Sequence, residues 1–274
     1  VYPPWVTAER YAELDLLVNH ARRRGIAAVA HPAAAADERV VVEATLRALA
    51  PDLQLVEPGV APLQARAWLD ERGLLPALGA AATVDLGGPV VRKGAWGTTA
   101  TGGDMDDPWS SPDDEVYPTV PDATDAVALA EEFEVEFAQG LPVTCCGAAL
   151  DGPGLLRQVA RIARRHGVGR GVFLGEGTLG VVTRVAFEAP AAAVIVLAHA
   201  ELSRLVLTRR QLALADTLSR TYADLFVRGL FHEPAMRDIE QFFLSTQRVV
   251  TGAVRVRVHH GAARVVGVRS PAGL

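Results

Sequence analysis

Lys93 is the only lysine among 27 basic residues, so positive charge is carried almost wholly by arginine. Acidic residues number 32, and the resulting formal charge of −5 leaves no basic footprint for nucleic acid or for an anionic membrane surface. Cysteine is equally scarce. Cys145 and Cys146 stand side by side, a spacing that suits neither a zinc site nor an ordinary structural disulfide, and a reduced, cytoplasmic compartment is the default. Long apolar runs are missing too. The longest, residues 189–200, contains Pro190 and His199, is too short to span a bilayer, and reads as a buried strand. The opening stretch VYPPWVTAERYAEL has neither a basic region nor an apolar core of the kind a secretory signal needs. No strand-to-helix junction carries the glycine-rich loop that cradles a pyrophosphate; FLGEGTLG at 173–180 lies between strands and reads as a hairpin turn.

What is present is ample for a core: 274 residues, half of them apolar, allow one large or two modest domains. Helical spacing over 7–24, 39–49 and 62–72, with short strands at 26–30 and 53–56, predicts a parallel βαβ layer whose first strand is buried. Residues 74–121 shift to Gly, Pro, Asp and Thr and read as irregular. Alternation at 132–137 predicts a half-exposed strand. Residues 154–166 predict a helix with Leu155, Val159, Ile162 and Ala163 on one face and arginines opposite. Two helices at 208–228 and 234–246 carry more apolar surface than one hairpin can cover, which implies association. A β-hairpin, 250–258 with 263–268, turns at Gly261. His259 and His260, as strand neighbours, should point to opposite faces and hold no metal, and His199 reads as a hydrogen-bonded core histidine.

The most informative stretch is HGVGRGVFLGEGTLGVVTRVAFEAP at 166–190, two strands (171–174 and 179–187) around a glycine-bearing turn at 175–177. HGVGR followed by G-x-x-x-R-x-x-x-E-x-P resembles the argininosuccinate synthase family. AVAH (28–31), ALAPDL (48–53) and DDPW (106–109) upstream, with STQRVVTGAVRVRV (245–258) and GVRSP (267–271) downstream, resemble it in the same order. The resemblance implies an α/β plus α+β chain. Residues 1–75 would be a partial parallel-sheet nucleotide-binding domain of the adenine nucleotide alpha hydrolase-like kind. Residues 76–274 would be the synthetase and multimerisation domain that builds the family's tetramer. It also places residue 1 after the family's Ser- and Gly-rich phosphate loop.

Members of this family, in arginine biosynthesis, activate the ureido oxygen of citrulline with ATP-Mg and let the aspartate amine displace AMP. Carried over by position, Tyr2 and Thr7 fall on a tyrosine and a hydroxyl of the citrulline site, and Thr83 and Thr99 on two serines there, with an insertion between them. Pro32, Ala33 and Ala34 stand where donors of the ATP and aspartate loop belong, Asp37 and Glu38 where an Asn-Asp pair belongs, and Val41 where an arginine grips the citrulline carboxylate. Gly175 takes the place of a citrulline-binding glutamate, with Glu176 one residue late, and Phe187 replaces a tyrosine. Arg184, Glu188, Pro190, Gly252, Arg269, Ser270 and Pro271 match as framework. The expectation is a degenerate or specialised family member with weak or no ligase activity of its own, no cofactor held tightly, no metal, and no assigned catalytic residue. The alternative is a carbon-nitrogen ligase on citrulline or a related ureido or amino substrate, active when complemented by a nucleotide-binding partner or as part of a longer chain. An amino-acid-like small molecule would bind in a pocket at the junction of the two parts, its mouth made acidic by Asp37 and Glu38. Assembly would be homo-oligomeric, or hetero-oligomeric with a family member.

Overall fold

A computed structural model describes residues 5–31, 36–57, 62–74, 90–176 and 182–273. The chain opens with α1 (Trp5–Arg24), whose last turn holds Arg22, Arg23 and Arg24 against the negative end of the helix, and Gly25 at φ 64 ends it. β1 (Ala28–Ala30), α2 (Ala36–Leu49), β2 (Gln54–Val56) and α3 (Pro62–Glu71) follow. β1 and β2 pair in parallel, Ala28 opposite Gln54, so the βαβ layer forms. Its first strand is not buried: Ile26 is 42 % exposed and Ala28 and Ala30 are open, because a sheet of two strands has no interior strand. The apolar faces of α1 and α2 meet instead through Tyr11, Leu14 and Val18 against Val41, Val42 and Leu46.

Five antiparallel strands in the order β11-β10-β5-β6-β7 form the largest sheet: β5 (Glu131–Ala138), β6 (Leu141–Cys145), β7 (Ala148–Ala149), β10 (Gly252–His259) and β11 (Ala262–Arg269). Alternation decides which side is covered. Phe133, Val135 and Phe137 of β5 join Val254, Val256 and Val258 of β10 under α4 (Gly152–Arg165) and α5 (Pro190–Val206). The opposite side carries Glu132 and Glu134, which meet Arg257, Arg255 and Arg269 across the strands. At the hairpin end His260 (φ 44) and Gly261 (φ 75) make the turn. His260 has therefore left the strand, and its ring lies 4.1 Å from that of His259 rather than on the opposite face. Cys145 is buried and Cys146 exposed at the β6–β7 turn, with their sulfurs 3.7 Å apart.

The apolar run 189–200 is helical, not a strand. A continuous apolar run hides its period, and here Pro190 at the first turn and the alanines decide for α5, which buries Ala191, Val194, Ile195, Ala198 and Leu202 at helical spacing. His199 on this helix bonds Gln247 at 2.7 Å and packs near Phe137, as a partly buried, hydrogen-bonded residue. Two further helices, α6 (Arg209–Val227) and α7 (Pro234–Gln247), follow α5, and α6 starts with a full capping box between Thr208 and Gln211. Among the described residues no helix is long and apolar enough to cross a membrane.

The second antiparallel sheet, ordered β3-β4-β9-β8, contains β3 (Val90–Lys93), β4 (Thr98–Thr101), β8 (Arg170–Glu176) and β9 (Val182–Glu188). β3 and β4 lie inside the segment read as irregular; threonine, whose branched Cβ suits a pleated surface, sustains β4 despite the flanking glycines. β8 and β9 are the hairpin expected at 166–190. Gly175 and Glu176 belong to the strand, opposite Thr183 and Val182, so the connection runs through 177–181, outside the described residues. One side of this sheet is closed by the 102–121 segment, which lays Met105 and Val116 on Ala100 and Ala186.

Glu188 locks that closure. It is wholly buried, and its carboxylate accepts from Thr98 Oγ1 (2.8 Å), Thr119 Oγ1 (2.9 Å) and the backbone N–H groups of Thr119 (2.8 Å) and Val120 (2.5 Å). Buried donors left without an acceptor cost about 1–3 kcal/mol each. Glu188→Ala is therefore expected to lower stability by about 3 kcal/mol or more, read as a shift in the urea midpoint at constant slope. A midpoint within error of the parent would show that the clasp contributes nothing.

Candidate functional site

Register determines which side chains share the side of the four-stranded sheet away from the 102–121 segment, a side open at Arg92 (44 % exposed) but closed at Thr99 (8 %). Arg92 is paired with Thr99, Thr99 with Phe187, and Phe187 with Gly171, so these four form one row across β3, β4, β9 and β8. The next row, Lys93, Thr98, Glu188 and Arg170, faces the covered side. Two glycines shape the open side. A Cβ at Gly171 would come within 2.5 Å of the Phe187 ring, and one at Gly175 within 2.7 Å of Phe173. The rings thus occupy the space that the glycines leave, with their centroids 6.3 Å apart.

α1 and α2 reach this row at its β3 end. Glu38, in the first turn of α2, pairs with Arg10 of α1, and its other oxygen lies 3.6 Å from a guanidinium nitrogen of Arg92. His31, which follows β1 at its carboxyl end, places Nε2 4.0 Å from the same carboxylate. Glu9, next to Arg10, accepts from the N–H of Ala95 at 2.6 Å and so ties α1 to the β3–β4 turn. Thr7 lies one helical turn before Arg10. The carboxyl end of a parallel strand pair facing an open sheet is where α/β chains hold small ligands. Behind it, Arg39 is shared between Glu43 (2.7 Å) and Glu57 (2.8 Å), and the bond from Arg39 lowers the pKa of the Glu43 carboxyl.

The residues singled out from the sequence are placed unevenly. Thr99 and Phe187 come together in the row, and Glu38 joins them through Arg92; Thr7 is half-buried nearby in α1. Tyr2, Thr83, Pro32, Ala33 and Ala34 lie outside the described residues, and Asp37 and Glu176 are described only as positions in α2 and β8. The pairing of Glu176 with Val182 sets its position one step out of the row series of Gly171, Phe173 and Gly175. Val41 is 4 % exposed and packs inside the Tyr11, Leu14, Val18 cluster, so it serves the α1–α2 core. Of the two residues expected to make the mouth acidic, Glu38 is met by Arg10 and Arg92, with Arg10 shared by Glu13 at 2.7 Å, while the side chain of Asp37 lies outside what is described. Arg10, Arg92, His31 and Phe173 are site-forming residues that the sequence reading passed over.

The framework motifs hold this arrangement from behind. Arg184 donates to the carbonyl of Asp107 at 2.7 Å, and Asp107 of DDPW accepts from the Trp109 N–H and the Ser110 hydroxyl, which keeps its carboxyl below the ordinary range. Arg170 reaches Asp114 and lies over the Tyr117 ring at 3.9 Å.

A family model described as the arginosuccinate synthase C-terminal domain matches residues 91–274. The argininosuccinate synthase of Methanococcus maripaludis is 32 % identical over 256 residues, 91 % of this chain and 63 % of that protein. Those of Dehalococcoides mccartyi and Acaryochloris marina are 31 % and 33 % identical over the whole chain, which spans 68 % of each.

The placement of Val41 generates a test. Val41→Arg would put a guanidinium into an apolar cluster, so it is expected to cost about 2 kcal/mol or more of stability and to add no affinity for citrulline. Tighter citrulline binding by a stably folded variant would return position 41 to the site.

Proposed function

We propose, for a chain that belongs to the argininosuccinate synthase family, a remodelled synthetase site that binds an amino-acid-like carboxylate and has weak or no ligase activity of its own. The observation that carries this reading is the use made of α2. Val41 is spent on the α1–α2 core, and Glu38 on pairing with Arg10 and Arg92, at two positions where the family resemblance would have substrate contacts. Thr99 and Phe187, with Thr7 and with Tyr2, Thr83 and Glu176 by sequence position, are the residues we assign to the small molecule. The parallel β1–β2 pair and its helices support reading residues 1–75 as part of a nucleotide-binding domain, with 76–274 as the synthetase and multimerisation domain. In this reading ATP-Mg is not held tightly, because Pro32, Ala33 and Ala34 offer methyl and ring carbons where the family has donors. Two free thiols suit a cytoplasmic setting.

A second reading has its own support. The chain spans 63 % and 68 % of the length of the first two relatives it matches. A nucleotide-binding partner could supply the rest of that length and restore AMP-forming ligation of citrulline and aspartate. Calorimetric titration with ATP-Mg, joined to an assay for pyrophosphate release with citrulline and aspartate, separates the two. The first reading expects no saturable ATP binding in the micromolar range and no release; micromolar ATP binding with release would overturn it.

Association follows from α6, which buries none of its residues in the single chain, while Leu214 and Leu244 are 48 % and 60 % exposed. We assign this face to a second copy of the chain. Light scattering at high micromolar concentration is expected to give a dimer or tetramer. A strictly monomeric mass would remove the assignment.

A further inference from the structure

Strand β3 brings to the junction a cation that the site residues carried over from the sequence do not include. Arg92 stands at the edge of the four-stranded sheet, in register with Thr99 and, through it, with Phe187. Its side chain is 44 % exposed, whereas that of Glu38, its acidic partner among the described residues, is 13 % exposed. Their closest approach of 3.6 Å is beyond a normal hydrogen bond, while Arg10 takes the other carboxylate oxygen of Glu38. One carboxylate is thus held mainly by Arg10, and the guanidinium of Arg92, with five N–H donors in a fixed fork, is engaged at long range only.

Arg10 is shared between Glu38 and Glu13, the latter at 2.7 Å, so Arg92 is the less engaged of the two guanidinium groups at this end of the row. Strands lie about 4.8 Å apart, so Phe187 is roughly 10 Å from Arg92 along the row, the length of a small amino acid with a side chain. A molecule lying across it would present its carboxylate to Arg92, pass over the buried Thr99, and rest its body against Phe187 and Phe173. Bidentate guanidinium–carboxylate pairing gives such a seat both strength and orientation.

We propose that Arg92 is the carboxylate-recognition residue of this chain, and that Glu38 is the internal carboxylate that competes for it when the site is empty. The proposal rests on the reading that an amino-acid-like ligand binds at this junction, and adds the residue that selects it. Because Glu38 competes, its removal should tighten binding, the opposite of what loss of a ligand contact would do. That sign is the distinguishing feature.

The experiment is an NMR titration of the full chain with citrulline and, in parallel, with citrulline amide, which lacks the carboxylate. The parent, Glu38→Gln, Arg92→Gln, Arg92→Lys and the surface control Arg47→Gln are compared, each checked for a parent-like melting profile. Glu38→Gln is expected to tighten citrulline binding about tenfold and Arg92→Gln to weaken it about tenfold, about 1.4 kcal/mol each. Arg92→Lys should fall between, since it keeps the charge and loses the fork. The amide should respond to none of the changes. Citrulline binding that is unmoved by Arg92→Gln, or weakened by Glu38→Gln, overturns the assignment of these two residues while leaving a ligand at the junction. Failure of both molecules to bind any variant, Glu38→Gln included, overturns the assignment and the underlying reading together.

Discussion

A buried carboxylate sets the geometry of this chain. Glu188 binds Thr98 on the neighbouring strand and the 119–120 backbone on the covering segment, so one side chain ties β4, β9 and the 102–121 loop together. The same contact favours one register. If β9 slipped by one residue against β4, Glu188 would be carried to the open side and Phe187 inward, with both a charge and a ring misplaced. Gly97 reinforces this, since a Cβ there would collide with the carbonyl of Glu188. Thr99 and Phe187 share the open side because Thr98 and Glu188 are held on the other.

The junction depends on that register and on a second constraint, the way α1 and α2 pack. Their apolar faces close on each other through Tyr11, Val18 and Val42, and Phe226 and Phe231 from the α6–α7 elbow cover the edge of the cluster. The Tyr11 hydroxyl donates to the carbonyl of Phe226 at 2.8 Å, and burial pushes its pKa up to about 12. With the helices so held, Arg10 and Glu38 come together and Glu9 caps the β3–β4 turn. The polar seam between α1–α2 and the β3–β4 hairpin combines the Glu9–Ala95 hydrogen bond with the longer approach of Glu38 to Arg92. Individually these contacts are worth little in water, but their partial burial and shared partners give them geometric effect.

Much of the fold was legible in residue patterns. The β10–β11 hairpin, the amphipathic α4 and the helices α6 and α7 announced themselves through period and turn chemistry, as the turn at Gly261 shows. α5 was misread because an unbroken apolar run has no visible period, and the deciding cue was Pro190 at its start. The site was less legible. Thr99 and Phe187 were identified through family resemblance, but no one-dimensional pattern pairs Arg92 with Thr99 or brings Arg10 to Glu38. Those contacts depend on strand register and helix approach. Val41 shows the converse: a position with a functional assignment by resemblance has become part of an apolar core, and only its neighbours reveal it.

The central claim is that the open row of the four-stranded sheet, and not the α1–α2 interior, receives the small molecule. Methyl-labelled NMR of the full chain during a citrulline titration tests this most directly, using Thr99 as the reporter for the row and Val41 for the interior. The account predicts a saturating shift of the Thr99 methyl with the Val41 methyls unmoved. Shifts confined to Val41, or a Thr99 signal unchanged at saturation, would contradict it.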